Sequence, residues 1–158
     1  MLISAEALAV VGGAIALAGG LAGSSIGIGI AGSAGAATLS EEPGQLRNVI
    51  LLASLPMTQT FYGLITLILV LTTVLDKLGT TDGGGMGLAV LGIGIITGAA
   101  EVFSGAYQGS VCASGISLLP KTKGRILTNA MMLAVFVELI GVFGLVFAIM
   151  SFALLKLF

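Results

Sequence analysis

Hydrophobic positions fall in four long runs, near residues 5–39, 46–75, 86–119 and 126–157, separated by three short polar breaks. The breaks read "SEEPGQLRN" (Ser40 to Asn48), "DKLGTTDGGG" (Asp76 to Gly85) and "PKTKGR" (Pro120 to Arg125). Each run exceeds the roughly 20 residues a helix needs to cross hydrocarbon, so the pattern predicts four transmembrane helices that tilt or protrude. Barrel strands are excluded, because the runs are too long and do not alternate. The expected fold is an all-α membrane protein.

The second half repeats the first. "LRNVILLASLPMTQTFYGL" lies over "LTNAMMLAVFVELIGVFGL" at an offset of about 81 residues, pairing Asn48 with Asn129, Leu52-Ala53 with Leu133-Ala134 and Gly63-Leu64 with Gly144-Leu145. A unit of two spans returns to its starting side, so residues 1–80 and 81–158 form two helical hairpins of the same orientation. The register sets Met57 opposite Glu138, so only the second hairpin carries an acid at that level.

Composition supports a membrane setting. Of the 158 residues, 57% are hydrophobic and only 8% charged, against about 25% charged in soluble domains. So little polar sequence leaves no room for a separate soluble catalytic domain. Net charge is −1 and there is no basic tract, which excludes nucleic acid as a partner. His is absent and Cys112 is the single cysteine, so neither an intrachain disulfide nor a Cys/His metal site is available. "AGSAGAAT" imitates a signal-peptidase site, but no Lys or Arg precedes the first run; a retained helix with residue 1 as the mature start is expected. Arg47, Lys121, Lys123 and Arg125 lie on one side against Lys77 and Lys156 on the other. By the positive-inside rule, the first and third breaks are cytoplasmic and both termini outside.

Glu138, in "AVFVELIGVFG", is the residue that lipid least accepts. An ionised side chain at the bilayer centre costs roughly 2.5–3.5 kcal/mol on translocon scales, so such residues have a partner and a task. In the second run, Leu55, Thr58, Gln59 and Tyr62 follow at i, i+3, i+4 and i+7 and share one helical face. Pro56 lies in the same turn; its missing N–H leaves the Leu52 carbonyl unpaired and loosens the ladder, so that backbone oxygen can turn towards a ligand. In the third run, Gln108 stands about as far from the cytoplasmic break as Glu138 does in the fourth. An acid, two amides, a hydroxyl and a phenol therefore meet at one depth. Interhelical hydrogen bonding would explain any one of them. Together they form an oxygen-rich site for a hard cation, and one carboxylate balances a monovalent ion. A proton needs only the carboxyl and one acceptor; two Gln and a Thr favour Na⁺ over H⁺.

Small residues recur four apart at Gly23, Gly27, Ala31 and Gly35, and again at Gly105, Gly109 and Ala113. Such strips allow close helix approach. Two of them suit the inner wall of a tight ring, with the bulkier second and fourth helices outside.

The two-hairpin layout with "LPMTQTFYG", "FSGAYQGSVCASGI" and "FVELIGVFG" resembles the membrane rotor proteolipid of V-type ATPases, called K or c, in particular the sodium-translocating bacterial form. The resemblance implies a non-catalytic member of a homo-oligomeric ring that couples ion flow to rotation and to ATP hydrolysis or synthesis. It implies Na⁺ held by a main-chain oxygen at Leu55 and by Thr58, Gln59, Gln108 and Glu138. Tyr62 would hydrogen-bond the carboxylate without touching the ion. The implied partners are lipid, a stator membrane protein with half-channels and a fixed Arg, and a central stalk meeting the cytoplasmic loops at Glu41, Glu42, Lys121 and Lys123. The implied location is a bacterial cell membrane. Glu101, on nearly the same face as Gln108, departs from that pattern. It could line the inner wall, pair with a head-group or stay protonated. A rotor carrying H⁺, a small four-helix secondary transporter and a packing scaffold are the competing readings. The transporter predicts an aromatic substrate cavity, yet Trp is absent and aromatics are 6% of the chain.

Overall fold

The computed structural model describes residues 4–78 and 84–158, and nearly all of them are helical. Among these residues four helices are long and apolar enough to cross a membrane: α1 (Ala5–Glu41), α2 (Pro43–Leu78), α3 (Gly84–Ser117) and α4 (Leu127–Leu154). Ser4 caps α1 by accepting the Ala7 N–H at 3.2 Å.

The polar breaks are mostly helix ends, not loops. Glu42 alone interrupts the helical path between α1 and α2, and its N–H closes α1 on the Thr38 carbonyl. Pro43 then begins α2, where a missing N–H costs nothing. In the third break, Leu119–Thr122 makes a single helical turn, ended by left-handed Lys123 (φ 51°) and Gly124 (φ 82°). The centre of the second break, residues 79–83, and the expected start at residue 1 lie outside the described residues.

Contacts between helices fix their directions. Gly12 meets Val90, Gly23 meets Glu101 and Gly105, and Gly27 meets Gly105, so α1 and α3 run parallel. Gly20 meets Gln59, and Gly35 meets Val49, so α1 and α2 are antiparallel. Ser104 with Val137 and Gly115 with Ala130 give the same relation for α3 and α4. The chain is thus two hairpins of one orientation, packed through α1 and α3. That packing is backbone on backbone: a Cβ at Gly12 would stand 2.7 Å from the Val90 carbonyl oxygen, and one at Gly109 would collide with the Gly27 backbone. The small-residue strips therefore mesh with each other, except that Gly35 receives the Val49 side chain instead.

The expected distortion at Pro56 is present in another form. Leu55–Met57 tightens to a 3₁₀ turn, and the Leu52 carbonyl accepts the Leu55 N–H. It is therefore not left unpaired; the ladder shortens by one residue to fill the gap that proline makes. Further along, Val70–Val74 widens to a π turn.

Two apolar cores lie at opposite ends. One gathers Ala9, Val70, Val74, Val90, Ile93, Ala148 and Phe152 near the termini. The other gathers Ala31, Val49, Leu52, Cys112, Ile116, Ala130 and Ala134 near the hairpin turns. Between them lies a belt of buried polar side chains: Ser24, Gln59, Thr66, Thr97, Glu101, Ser104 and Gln108.

Candidate ion-binding layer

The belt places Glu138 in a chain of hydrogen bonds spanning α2, α3 and α4. The Tyr62 hydroxyl donates to Glu138 Oε1 at 2.9 Å, and Gln108 Nε2 donates to Oε2 at 3.2 Å. Gln59 Nε2 donates to Gln108 Oε1 and to Ser104 Oγ, both at 3.0 Å. Ser104 Oγ in turn donates to the Val137 carbonyl at 3.0 Å, one residue before Glu138. At the other end Thr58 Oγ1 lies 3.3 Å from both the Leu55 carbonyl and Gln59 Oε1.

Each side chain is positioned by its helix. Gln59 and Gln108 are fully buried, Glu138 and Tyr62 half-buried, so the carboxylate stands at the edge of the protomer and the amides behind it. Gly20 permits this on the α1 side: its missing Cβ lets the Gln59 backbone come close, and Ser24 Oγ accepts the Thr60 N–H at 3.1 Å. The 3₁₀ turn aims the Leu55 carbonyl at Thr58. All five residues expected at the site, Leu55, Thr58, Gln59, Gln108 and Glu138, are brought together, with Tyr62 on the carboxylate. Every polar atom facing the carboxylate is oxygen or amide, and no group of three His, Cys, Asp or Glu occurs among the described residues. Carboxylate, carbonyl, hydroxyl and amide oxygens, without His or Cys, are the ligand chemistry of hard cations.

Sequence reasoning missed Ser104. It lies four residues before Gln108, on the same face, and locks Gln59 to the α4 backbone. Met57, the register partner of Glu138, is exposed at 48% and takes no part.

Glu101 is not where two of its expected roles would put it. It is 0% exposed, between α3 and α4, and so neither faces an inner wall nor reaches a head-group. Its carboxylate lies against α4 where side chains are missing: a Cβ at Gly141 would be 2.7 Å from Oε2, and one at Gly144 3.2 Å from Oε1.

Four spanning helices in two like-oriented hairpins, with a carboxylate held among amides and hydroxyls between two apolar cores, define an ion-handling membrane proteolipid. Comparison with known proteins gives the family. The family model for the C subunit of ATP synthase matches twice, over residues 11–70 and 91–151, once per hairpin. The chain is 33% identical over 124 residues to the V-type sodium ATPase subunit K of Enterococcus hirae, covering 78% of this chain and 76% of that one. It is 30% identical over 143 residues to the A-type ATP synthase subunit K of Methanocaldococcus jannaschii, covering 90% of this chain and 60% of the other. The chain thus belongs to the family of ATP synthase C subunits, as a rotor proteolipid of the V/A-type ATPases and an integral membrane protein of an oligomeric ring.

Proposed function

We propose that this proteolipid carries Na⁺ on Glu138, one ion per protomer, with Leu55 (through its carbonyl), Thr58, Gln59 and Gln108 as the other ligands and Tyr62 fixing the carboxylate. One observation carries the reading: Glu138 is gripped on one oxygen by Tyr62 and on the other by Gln108, and Gln108 leads through Gln59 to a cluster of the Leu55 carbonyl, Thr58 Oγ1 and Gln59 Oε1. The name of the Enterococcus hirae relative supports the choice of sodium.

The cargo imposes a rearrangement. Gln108 presents Nε2 to Glu138, and an amide nitrogen is a donor that cannot ligate a cation. When Na⁺ enters, Gln108 turns its Oε1 to the ion, which sends its Nε2 towards Gln59. Two donors, the Tyr62 hydroxyl and Gln108 Nε2, satisfy the carboxylate in this arrangement. Loading exchanges the Gln108 donor for a positive charge, keeps the Tyr62 bond and leaves a neutral site that lipid tolerates.

In this reading the protein is non-catalytic. The half 1–80 supplies the first carbonyl, amide and hydroxyl ligands, and the half 81–158 supplies Gln108 and the acid. The loops bearing Glu41, Glu42, Lys121 and Lys123 face the cytoplasm and meet a central stalk, both termini lie outside, and a stator protein with half-channels loads and unloads Glu138. The membrane is a bacterial cell membrane. The proton alternative rests on the Tyr62 contact, because a phenol oxygen can accept from a protonated carboxyl as well as donate to an ionised one. Carbodiimide labelling of Glu138 in the purified ring separates the two. Protection by millimolar Na⁺ but not K⁺ is expected; labelling that follows pH alone, indifferent to Na⁺, transfers the role to H⁺. In the Glu138→Gln ring, assembly should persist and coupled ion transport should cease.

A further inference from the structure

Two carboxyls lie well inside the spanning helices among the described residues, and the layer around Glu138 uses only one of them. Glu101 is seven residues before Gln108, about 10 Å further along α3 towards the termini. It is completely buried, and neither of its oxygens has a hydrogen-bond partner among the described residues.

The groups around it explain the lack. Ser104 Oγ gives its proton to the Val137 carbonyl, and Thr97 Oγ1 gives its proton to the Gly144 carbonyl at 3.4 Å. The Tyr62 ring closes the Gly141 side, with Cδ2 3.3 Å from where a Gly141 Cβ would stand, but its hydroxyl is committed to Glu138. The hydroxyls of Ser104, Thr97 and Tyr62 are therefore spent elsewhere, and Glu101 lies against the glycine stretch of α4 with no donor of its own. Gly141 and Gly144 let the carboxylate press against α4, sealed from lipid and from the apolar cores. A bare carboxylate in such a place is among the most unfavourable groups a membrane protein can hold. A residue kept for packing alone would need no charge at all.

We propose that each protomer holds a second cation at Glu101, Na⁺ or a proton, resident in the α3–α4 cleft and separate from the one carried at Glu138. The cation neutralises the carboxyl without any protein donor, and the oxygens of Ser104, Thr97 and the facing backbone are the remaining contacts it can make. The inference does not depend on which ion Glu138 carries.

The test uses the purified ring in three forms: unaltered, Glu101→Gln and Glu138→Gln. Bound sodium is counted per protomer, and the infrared C=O stretch of a protonated carboxyl is recorded. In the sodium case, Glu138→Gln retains one Na⁺ per protomer that Glu101→Gln loses. In the proton case, Glu138→Gln retains a protonated-carboxyl band that Glu101→Gln loses, with no sodium left in Glu138→Gln. Because Glu101 is intact in Glu138→Gln, the outcome stands even if Glu101→Gln fails to assemble. A Glu138→Gln ring with neither sodium nor the band would mean a bare carboxylate, and would overturn the proposal while leaving the role of Glu138 untouched.

Discussion

The Tyr62 hydroxyl meets Glu138 Oε1 at 2.9 Å across the α2–α4 interface, joining a helix of the first hairpin to the acid of the second. Tyr62→Phe removes this bond and keeps the ring in place. Interhelical hydrogen bonds in membranes contribute about 0.6–1.7 kcal/mol, so under the proposed sodium reading Na⁺ retention should fall roughly 3- to 20-fold. Sodium protection against carbodiimide, titrated in both rings, measures the shift. An unchanged midpoint would show that the phenol does not hold the carboxylate in its ligating position.

Pro56→Ala should separate stability from function. Proline inside a helix costs about 3 kcal/mol, so its removal favours regular helix. The 3₁₀ turn Leu55–Met57 would then relax and carry the Leu55 carbonyl away from Thr58. Sodium affinity should drop about tenfold while the heat resistance of the ring does not fall; a change of about 1.4 kcal/mol in one ligand's position is enough. Equal affinity in both rings would remove the Leu55 carbonyl from the ligand set.

Glycines of α1 and α3 should divide sharply by face. A Cβ at Gly109 runs into the Gly27 backbone, whereas one at Gly29 meets nothing within 4 Å in the protomer. Gly109→Ala should destabilise the fold by about 1–3 kcal/mol, because backbone cannot step aside. Gly29→Ala should leave the protomer's thermal unfolding in detergent unchanged or raised, since alanine is the better helix former by about 1 kcal/mol. Similar losses in both would contradict the direct α1–α3 contact.

Glu101 and Gly141 should couple. Gly141→Ala alone places a methyl 2.7 Å from Glu101 Oε2 and 3.1 Å from Ser104 Oγ, and should lower the yield of assembled ring. Adding Glu101→Ala frees the space and should restore much of that yield. Simple additivity of the two losses, read by a double-mutant cycle, would place the carboxylate elsewhere.

Much of this architecture was legible in the order of residues. Hydrophobic length gave the four helices, and the internal repeat gave their shared direction. The face bearing Leu55, Thr58, Gln59 and Tyr62 lies as its spacing required. Ser104 was not legible, for a physical reason. A membrane-helix serine ordinarily returns its proton to a carbonyl one turn back, as Ser25, Ser33, Ser110, Ser114 and Ser117 do here. Nothing in the residue type separates these from the one whose proton crosses to α4. Glu101 shows the converse limit. Its helical face was clear, but which neighbour covered that face depended on Gly141 and Gly144, glycines whose importance is the space they leave. The polar first break misled about the loop because Ser40 and Glu41 continue the helix beyond the apolar zone.

The meshed glycines of α1 and α3 have a geometric consequence for the assembly. The helices α1 and α3 pack backbone against backbone, whereas α2 and α4 meet across the Tyr62 and Glu138 side chains, which tapers the protomer towards α1 and α3. Such a wedge can close on itself only at the number of copies its taper dictates. The number of copies in the ring is therefore set in part by residues that stand apart from the layer around Glu138. A methyl added along the α1–α3 edge would blunt the wedge and call for a wider ring.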